Sequence, residues 1–264
     1  MSESINCLRA TPSTQFSADP LVSSLFSKED DYFGLVLVTG WPPNFESMNQ
    51  PYQAFLKQVR KCFAHSDLES RGIKPPSVYL YPLSSLHITI ATLCPVQKKR
   101  VERGEEYYND LQNKYVELTK AASLRDEWPK PTRKEPLDLQ VESVQLCQKA
   151  GILLWKDVSG SIHAMRKCLK EEALHRGLEI YSIPNIIHST FLRFAQEPSE
   201  NSGRGEDIQQ KFQTIVAPNV GEIFGSNLQQ PVISLSCRPF CKLVCETTPY
   251  MHIPDDEQHV FLQV

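Results

Sequence analysis

The chain has no Cys-x-x-Cys pair among its 8 cysteines, which removes the usual spacings of structural zinc sites and thioredoxin-like redox motifs. Cys7, Cys62, Cys94, Cys147, Cys168, Cys237, Cys241 and Cys245 are irregularly placed. The tightest grouping, Cys237, Cys241 and Cys245, has no obvious fourth ligand nearby. The expectation is therefore no metal, and reduced thiols packed as small hydrophobes in an intracellular protein. Long apolar runs are missing as well. No stretch approaches the roughly 18 uninterrupted apolar residues of a membrane-spanning helix, and the first twenty residues contain no apolar run fit for a signal peptide. A cytoplasmic location is expected, with the nucleus as the other compartment open to it, and no membrane partner. Nor is there an excess of positive charge: Lys and Arg number 28 against 31 Asp and Glu, a net charge of −3. Binding an extended duplex needs a dense Lys/Arg surface. A short substrate in a local pocket does not.

At 264 residues, with 41% hydrophobic and 22% charged side chains, the chain can build one large domain or two small lobes sharing a core. Residues 1–30 are rich in Ser, Thr, Pro and Asp and read as a flexible tail. From there 31–264 reads as one bilobal domain, with lobe one over about 31–125, lobe two over about 137–264, and strands free to exchange between them. Tyr32 to Gly40 is a buried strand ended by Gly and Trp41-Pro42-Pro43. Tyr52, Phe55, Leu56, Val59 and Phe63 have helical spacing, and strands are expected at Ser77 to Tyr81 and Leu86 to Leu93. Lys98 to Leu124 reads as a charged helix, and the three prolines between Trp128 and Pro136 as an irregular connection. Leu137 to Leu146 and Ile152 to Val158 form a hairpin, followed by a helix with Ser161 as N-cap and Gly177 as C′ residue. A strand pair ending in Ile186 to Arg193, a short helix over Asp207 to Val216, and strands at Val232 to Cys237, Phe240 to Cys245 and His259 to Val264 complete the reading.

The same unit occurs twice: strand, helix, then a strand bearing His-x-Thr. The spacings differ, so the likeness is topological rather than a strict repeat. Residues two apart in a strand share a face. His87 and Thr89 therefore point one way while Leu86, Ile88 and Ile90 point the other. In the second copy His188 and Thr190 oppose Ile187, Ser189 and Phe191. A buried polar pair of this kind is costly unless it has partners or work to do. Two imidazoles and two hydroxyls across a cleft suit phosphodiester hydrolysis. A neutral His takes a proton from water and a protonated His gives one to the departing oxygen. Thr89 and Thr190 donate to the non-bridging oxygens as charge builds on them. This chemistry calls for no cofactor.

The pair His87-Ile-Thr89 and His188-Ser-Thr190 resembles the motifs of the 2H phosphoesterase superfamily, in its LigT-like branch of RNA 2′,3′-cyclic phosphodiesterases and RNA ligases. Leu35 to Pro43 is similar to that family's opening strand and turn. Leu86 to Leu93 is similar to its first catalytic strand, and Gly151 to Trp155 to the strand before the second-lobe helix. The resemblance spans about Tyr32 to Phe194. It implies an α+β bilobal fold with two pseudo-symmetric antiparallel sheets facing a central groove. It further implies His87 and His188 as catalytic residues and Thr89 and Thr190 as phosphate ligands. A monomer acting on a nucleotide or short single-stranded RNA is expected, the bond being a 2′,3′-cyclic phosphate, a 2′-5′ linkage or an RNA 3′ end. Which His is acid and which base stays open, and a non-catalytic nucleotide or RNA-end binder is the alternative.

Other residues weigh less. Strand alternation places Arg193 on the face opposite His188 and Thr190, in a solvent salt bridge. Tyr79, Tyr81, Tyr181 and Tyr250 read as amphipathic core-edge aromatics rather than base platforms. His163 and His175 read as surface residues, and Arg71, Lys74, Lys98, Lys99 and Arg100 as a solvated basic face.

Overall fold

Eight consecutive buried residues, Tyr32–Thr39 (β1), make a strand covered on both faces. Such a run of Val, Leu and Phe has no polar side to turn toward water. A computed structural model of the protein describes residues 15–19, 31–39, 49–63, 78–130, 137–195, 204–220, 233–235, 241–247 and 260–263. After β1 come Asn49–Cys62 (α1), Val78–Leu80 (β2), Ile88–Lys98 (β3) and Gly104–Ser123 (α2). Leu137–Leu146 (β4), Ala150–Asp157 (β5), Ser161–Arg176 (α3) and His188–Phe194 (β6) follow. Arg204–Ile215 (α4), Ile233–Leu235 (β7), Cys241–Glu246 (β8) and Val260–Gln263 (β9) complete the order.

The architecture is α+β with two antiparallel sheets, as the resemblance implies. One sheet has the order β3-β1-β8-β9 and the other β2-β6-β5-β4-β7. Sequence halves and sheets do not coincide. β2 joins the sheet of the second half, while β8 and β9 return to that of the first. Helices exchange too. Phe55 of α1 meets Phe191 of β6 edge-on at 4.9 Å, and Phe212 of α4 stacks on Phe191 at 6.3 Å, so both helices lie on the second sheet. Phe33 of β1 meets Tyr108 of α2 at 5.1 Å, and Met165 of α3 meets Cys241 of β8 at 3.2 Å. Each repeated unit thus sends its helix to the other unit's sheet.

Several local expectations shift. The strand continues through Lys98, so the charged helix starts at Gly104, which has the positive φ of 67° that a Cβ disfavours. Ser161 is the first helical residue rather than the cap. The carboxylate of Asp157 accepts from the N–H groups of Ser161, Ile162 and His163 at 3.2, 2.7 and 3.4 Å, neutralising the orphan donors of that turn. Gly177 has φ 63° and donates to the Leu174 carbonyl, ending the helix where expected. In place of a strand pair before β6 there is one bridge, Ser182 to Thr92, joining the second half of the chain to the free edge of β3. Cys62, Cys94, Cys147, Cys168, Cys241 and Cys245 are free and buried; Cys7 and Cys237 lie outside the described residues, as do Arg71, Lys74 and Tyr250. Among the described residues no helix is long and apolar enough to cross a membrane.

The stretch 1–30, which composition reads as a tail, includes a docked piece. Phe16 packs on Phe194 at 4.7 Å, Ser17 N–H donates to Gln148 O, and Asp19 N–H donates to Phe194 O.

Candidate active site

Two strands bring the motifs to facing surfaces. On the first sheet Val38 is opposite Thr89, and Val36, Val38 and Val244 form a small cluster separate from the main core. On the second, Leu154 is opposite His188 and Ile152 opposite Thr190. Ile152 and Leu154 belong with Ala150 and Cys147 to another small cluster. Each His-x-Thr face therefore lies over its own aliphatic patch, with the helices on the other side of the sheet.

The two strands share a device that alternation hides. Leu37 is opposite Ala91 and Val38 opposite Thr89, leaving Ile90 as an extra residue. Gly151 is opposite Leu192 and Ile152 opposite Thr190, leaving Phe191 extra. A bulge thus falls one residue after each motif threonine, and both of the next two residues (Ile90 and Ala91, Phe191 and Leu192) enter the core. Gly151 makes the second bulge possible, because a Cβ there would sit 2.5 Å from the Phe191 ring. The extra residue reverses every later side chain. Arg193, opposite Ala150, consequently shares the face of His188 and Thr190 rather than lying opposite. It still forms a salt bridge, but a buried one: its Nη1 is 2.7 Å from Asp19 Oδ2, with the side chains 11% and 5% exposed.

The imidazoles are held differently. His87 precedes the first residue of β3, its ring half-buried, with Nδ1 2.9 Å from Ser85 O. That carbonyl can only accept, so Nδ1 carries the hydrogen and Nε2 is left for chemistry. Burial lowers the His87 pKa, the Ser85 bond raises it, and the Arg193 charge lowers it. His188 lies within β6, is buried, and its Nδ1 has no hydrogen-bond partner among the described residues. Burial pushes its pKa down to about 4, helped by the charges of Arg193, His87 and Arg166. The two rings, from different sheets, are thus within electrostatic reach of each other. Thr89 and Thr190 are both partly exposed.

Arg166 escaped the sequence reading, because in α3 it looks like one more charged helix residue. It is buried, and it donates to the carbonyls of Ile90 at 3.2 Å, Thr89 at 2.8 Å and Ile186 at 3.1 Å. The guanidinium fork therefore ties the backbone after His87 to the backbone before His188. Burial pulls its pKa to about 10, with Asp157 opposing, so it remains a cation at neutral pH. Ser189, the polar break on the core side of β6, accepts from Trp155 Nε1 at 3.0 Å. Among the lesser candidates, Tyr81 is buried, Tyr79 is half-buried on the edge strand and meets Tyr81 edge-on, and Tyr181 is exposed. His163 and His175 are exposed, as expected, and Lys99 pairs with Asp31 and Glu105. Among the described residues no group of three His, Cys, Asp or Glu is placed to hold a metal ion.

No family model and no curated protein matches the sequence. In structure the chain is similar to Kluyveromyces marxianus Usb1 with uridine monophosphate, at 11% identity over 84% of this chain and 95% of that one, with TM-score 0.46. It is similar to a conserved protein of unknown function from Agrobacterium tumefaciens, at 11% identity over 93% and 97% of the two chains, TM-score 0.44. A third is E. coli LigT with 3′-AMP, at 16% identity over 65% and 81%, TM-score 0.33. Usb1 and LigT are members of the 2H phosphoesterase superfamily. The likeness is one of fold.

Proposed function

We propose that the protein is a phosphodiesterase that cleaves a 2′,3′-cyclic phosphate, a 2′-5′ linkage or the 3′ end of a short single-stranded RNA. The observation that carries this reading is the Arg166 tie between two His-x-Thr strands of different sheets, which leaves both imidazoles in one electrostatic environment. A merely structural histidine pair would not need to be duplicated together with its threonine and its following bulge.

In the proposed reaction His188, neutral at working pH, takes the proton from the attacking hydroxyl or water. His87, its Nδ1–H turned to the Ser85 carbonyl, gives the Nε2 proton to the departing ribose oxygen. Thr89 and Thr190 donate hydrogen bonds to the non-bridging oxygens. Arg193, on the same face, adds positive field. Both imidazole pKa values rise when a dianionic or monoanionic phosphate enters, which brings the acid partner into its protonated form.

The test is hydrolysis of 2′,3′-cyclic nucleotides by the wild type, His87→Ala and His188→Ala, with and without chelator. An active wild type, unaffected by chelator, with both variants inactive yet still binding nucleotide, is expected. A wild type that binds nucleotide and cleaves none would make the chain a binder.

A further inference from the structure

The docked piece of the N-terminal segment reaches the groove through one contact that the proposed reaction does not use. The two bulges return Thr92 of β3, opposite Val36, and Arg193 of β6, opposite Ala150, to the groove face. At equivalent places the first strand thus carries a neutral hydroxyl and the second a guanidinium. The counter-ion of that guanidinium comes from outside both sheets. Asp19 Oδ2 is 2.7 Å from Arg193 Nη1, and both side chains are buried. Three further contacts fix the segment that supplies it. Phe16 packs on Phe194 at 4.7 Å, Ser17 N–H donates to Gln148 O at 2.9 Å, and Asp19 N–H donates to Phe194 O at 2.8 Å. The carboxylate is therefore held by the backbone next to the residue it pairs with.

Phe16 and the two backbone bonds are enough to anchor a tail. A buried ion pair adds little net stability, because desolvation offsets its attraction. Its effect falls on the groove instead. The charge of Arg193 acts on both His87 and His188, and Arg166 adds a second cation that acts on His188. The proposed reaction needs one imidazolium, and neighbouring cations oppose it. A carboxylate fixed on one of those cations removes part of the opposition. The other groups around Arg193 offer less. Tyr79 is opposite it on β2, the Tyr81 hydroxyl accepts from it, and Cys147 lies just past β4. Burial raises both phenols and pushes the thiol up to about 11, so all three are neutral. Glu246 of β8 also feels Arg193, but burial pushes its pKa up to about 7, which leaves it half-protonated at neutral pH.

We propose that Asp19 is a positioning residue of the groove: it holds the Arg193 guanidinium beside the two imidazoles and offsets its charge, so that one of them can carry the proton the reaction needs. The proposal rests on the phosphodiesterase reading above. The experiment follows His87 and His188 by NMR titration, and kcat against pH on a 2′,3′-cyclic nucleotide. It compares the wild type, Asp19→Asn, Arg193→Met and the double variant. In Asp19→Asn both imidazole titrations should move down by about one unit. The alkaline limb of kcat should move with them, while KM does not rise, because an uncompensated cation still attracts an anionic substrate. In Arg193→Met both titrations should move up, since the cation has gone and the carboxylate stays. The double variant should titrate close to the wild type, a neutral pair having replaced a neutralised one. If the pair merely docks a tail, the variants lose melting temperature and the titrations stay in place; that result overturns the proposal. Should Asp19→Asn not fold, the rise in Arg193→Met and its reversal in the double variant decide. The titrations need no turnover. If they shift as expected and no cyclic nucleotide is cleaved, the phosphodiesterase reading fails while the hold of Asp19 on the imidazoles stands.

Discussion

The two His-x-Thr strands are alike in backbone and unlike in environment. Each places a bulge one residue after its threonine, and each turns its motif away from the helices. Yet His87 sits just before its strand with a carbonyl behind its Nδ1, whereas His188 opens its strand, buried, with no hydrogen-bond partner for its Nδ1 among the described residues. Pseudo-symmetry thus builds the groove, and local asymmetry gives two identical side chains different surroundings: burial lowers both pKa values, and at His87 the bond to the Ser85 carbonyl opposes it. Unlike environments are how like groups come to serve as acid and base.

The comparison can be broken most severely at the imidazoles. His87→Ala and His188→Ala are each expected to lower kcat by about 10²–10⁴-fold, the usual worth of a general acid or base. Circular dichroism and melting should show both variants folded. Next in size is Arg166→Met, which leaves the carbonyls of Thr89, Ile90 and Ile186 without this donor. A loss of about 3 kcal/mol is expected in denaturant melts, with kcat falling as the two strands lose their common anchor. Arg166→Lys should not rescue it, since an ammonium cannot reproduce the planar fork.

The bulges themselves are tested by Gly151→Ala. Phe191 is fully buried between Phe55 and Phe212, so its ring cannot yield to the new methyl. A destabilisation of about 1–3 kcal/mol is expected, together with a raised KM as Thr190 and Arg193 shift. The smallest effect should come from Trp155→Phe, which removes the indole donor to Ser189 and should cost about 1 kcal/mol with little change in KM.

Stability should also depend on pH with two opposing slopes. His188 has its folded pKa lowered to about 4, so the unfolded chain binds its proton first and stability falls as pH drops from about 6.5 toward 4. Glu246 has its folded pKa raised to about 7. Its contribution is present below about 4.5 and is lost as pH rises toward 7. Glu246→Gln should therefore melt higher than the wild type at pH 8, by at most about 3 kcal/mol.

Much of this arrangement is readable in the chain. Alternation around His87 and His188 identifies the motif faces, Gly177 stops α3, and the Cys147–Gly151 stretch turns the β4–β5 hairpin. What escapes reading has a physical reason in each case. A bulge adds a single residue, so alternation carried past Thr190 assigns Arg193 to the wrong face; Gly151, opposite the bulge, was the one available signal. Arg166 acts through carbonyls of residues distant in sequence, and helical periodicity holds no trace of them. Exchange of α1, β2, α3, β8 and β9 between sheets is likewise non-local. Composition describes residues 1–30 as polar, yet Phe16 and Asp19 have their partners in Phe194 and Arg193.

The claim underlying all of this is that the two imidazoles share one site across the groove. The most direct measurement is an NMR titration of the histidine side chains in the wild type and in His87→Gln. The expected result is a His188 pKa near 4 that rises when His87 is replaced, because a neighbouring positive charge has gone. A His188 that titrates near the ordinary 6.5, indifferent to His87, would contradict the shared site.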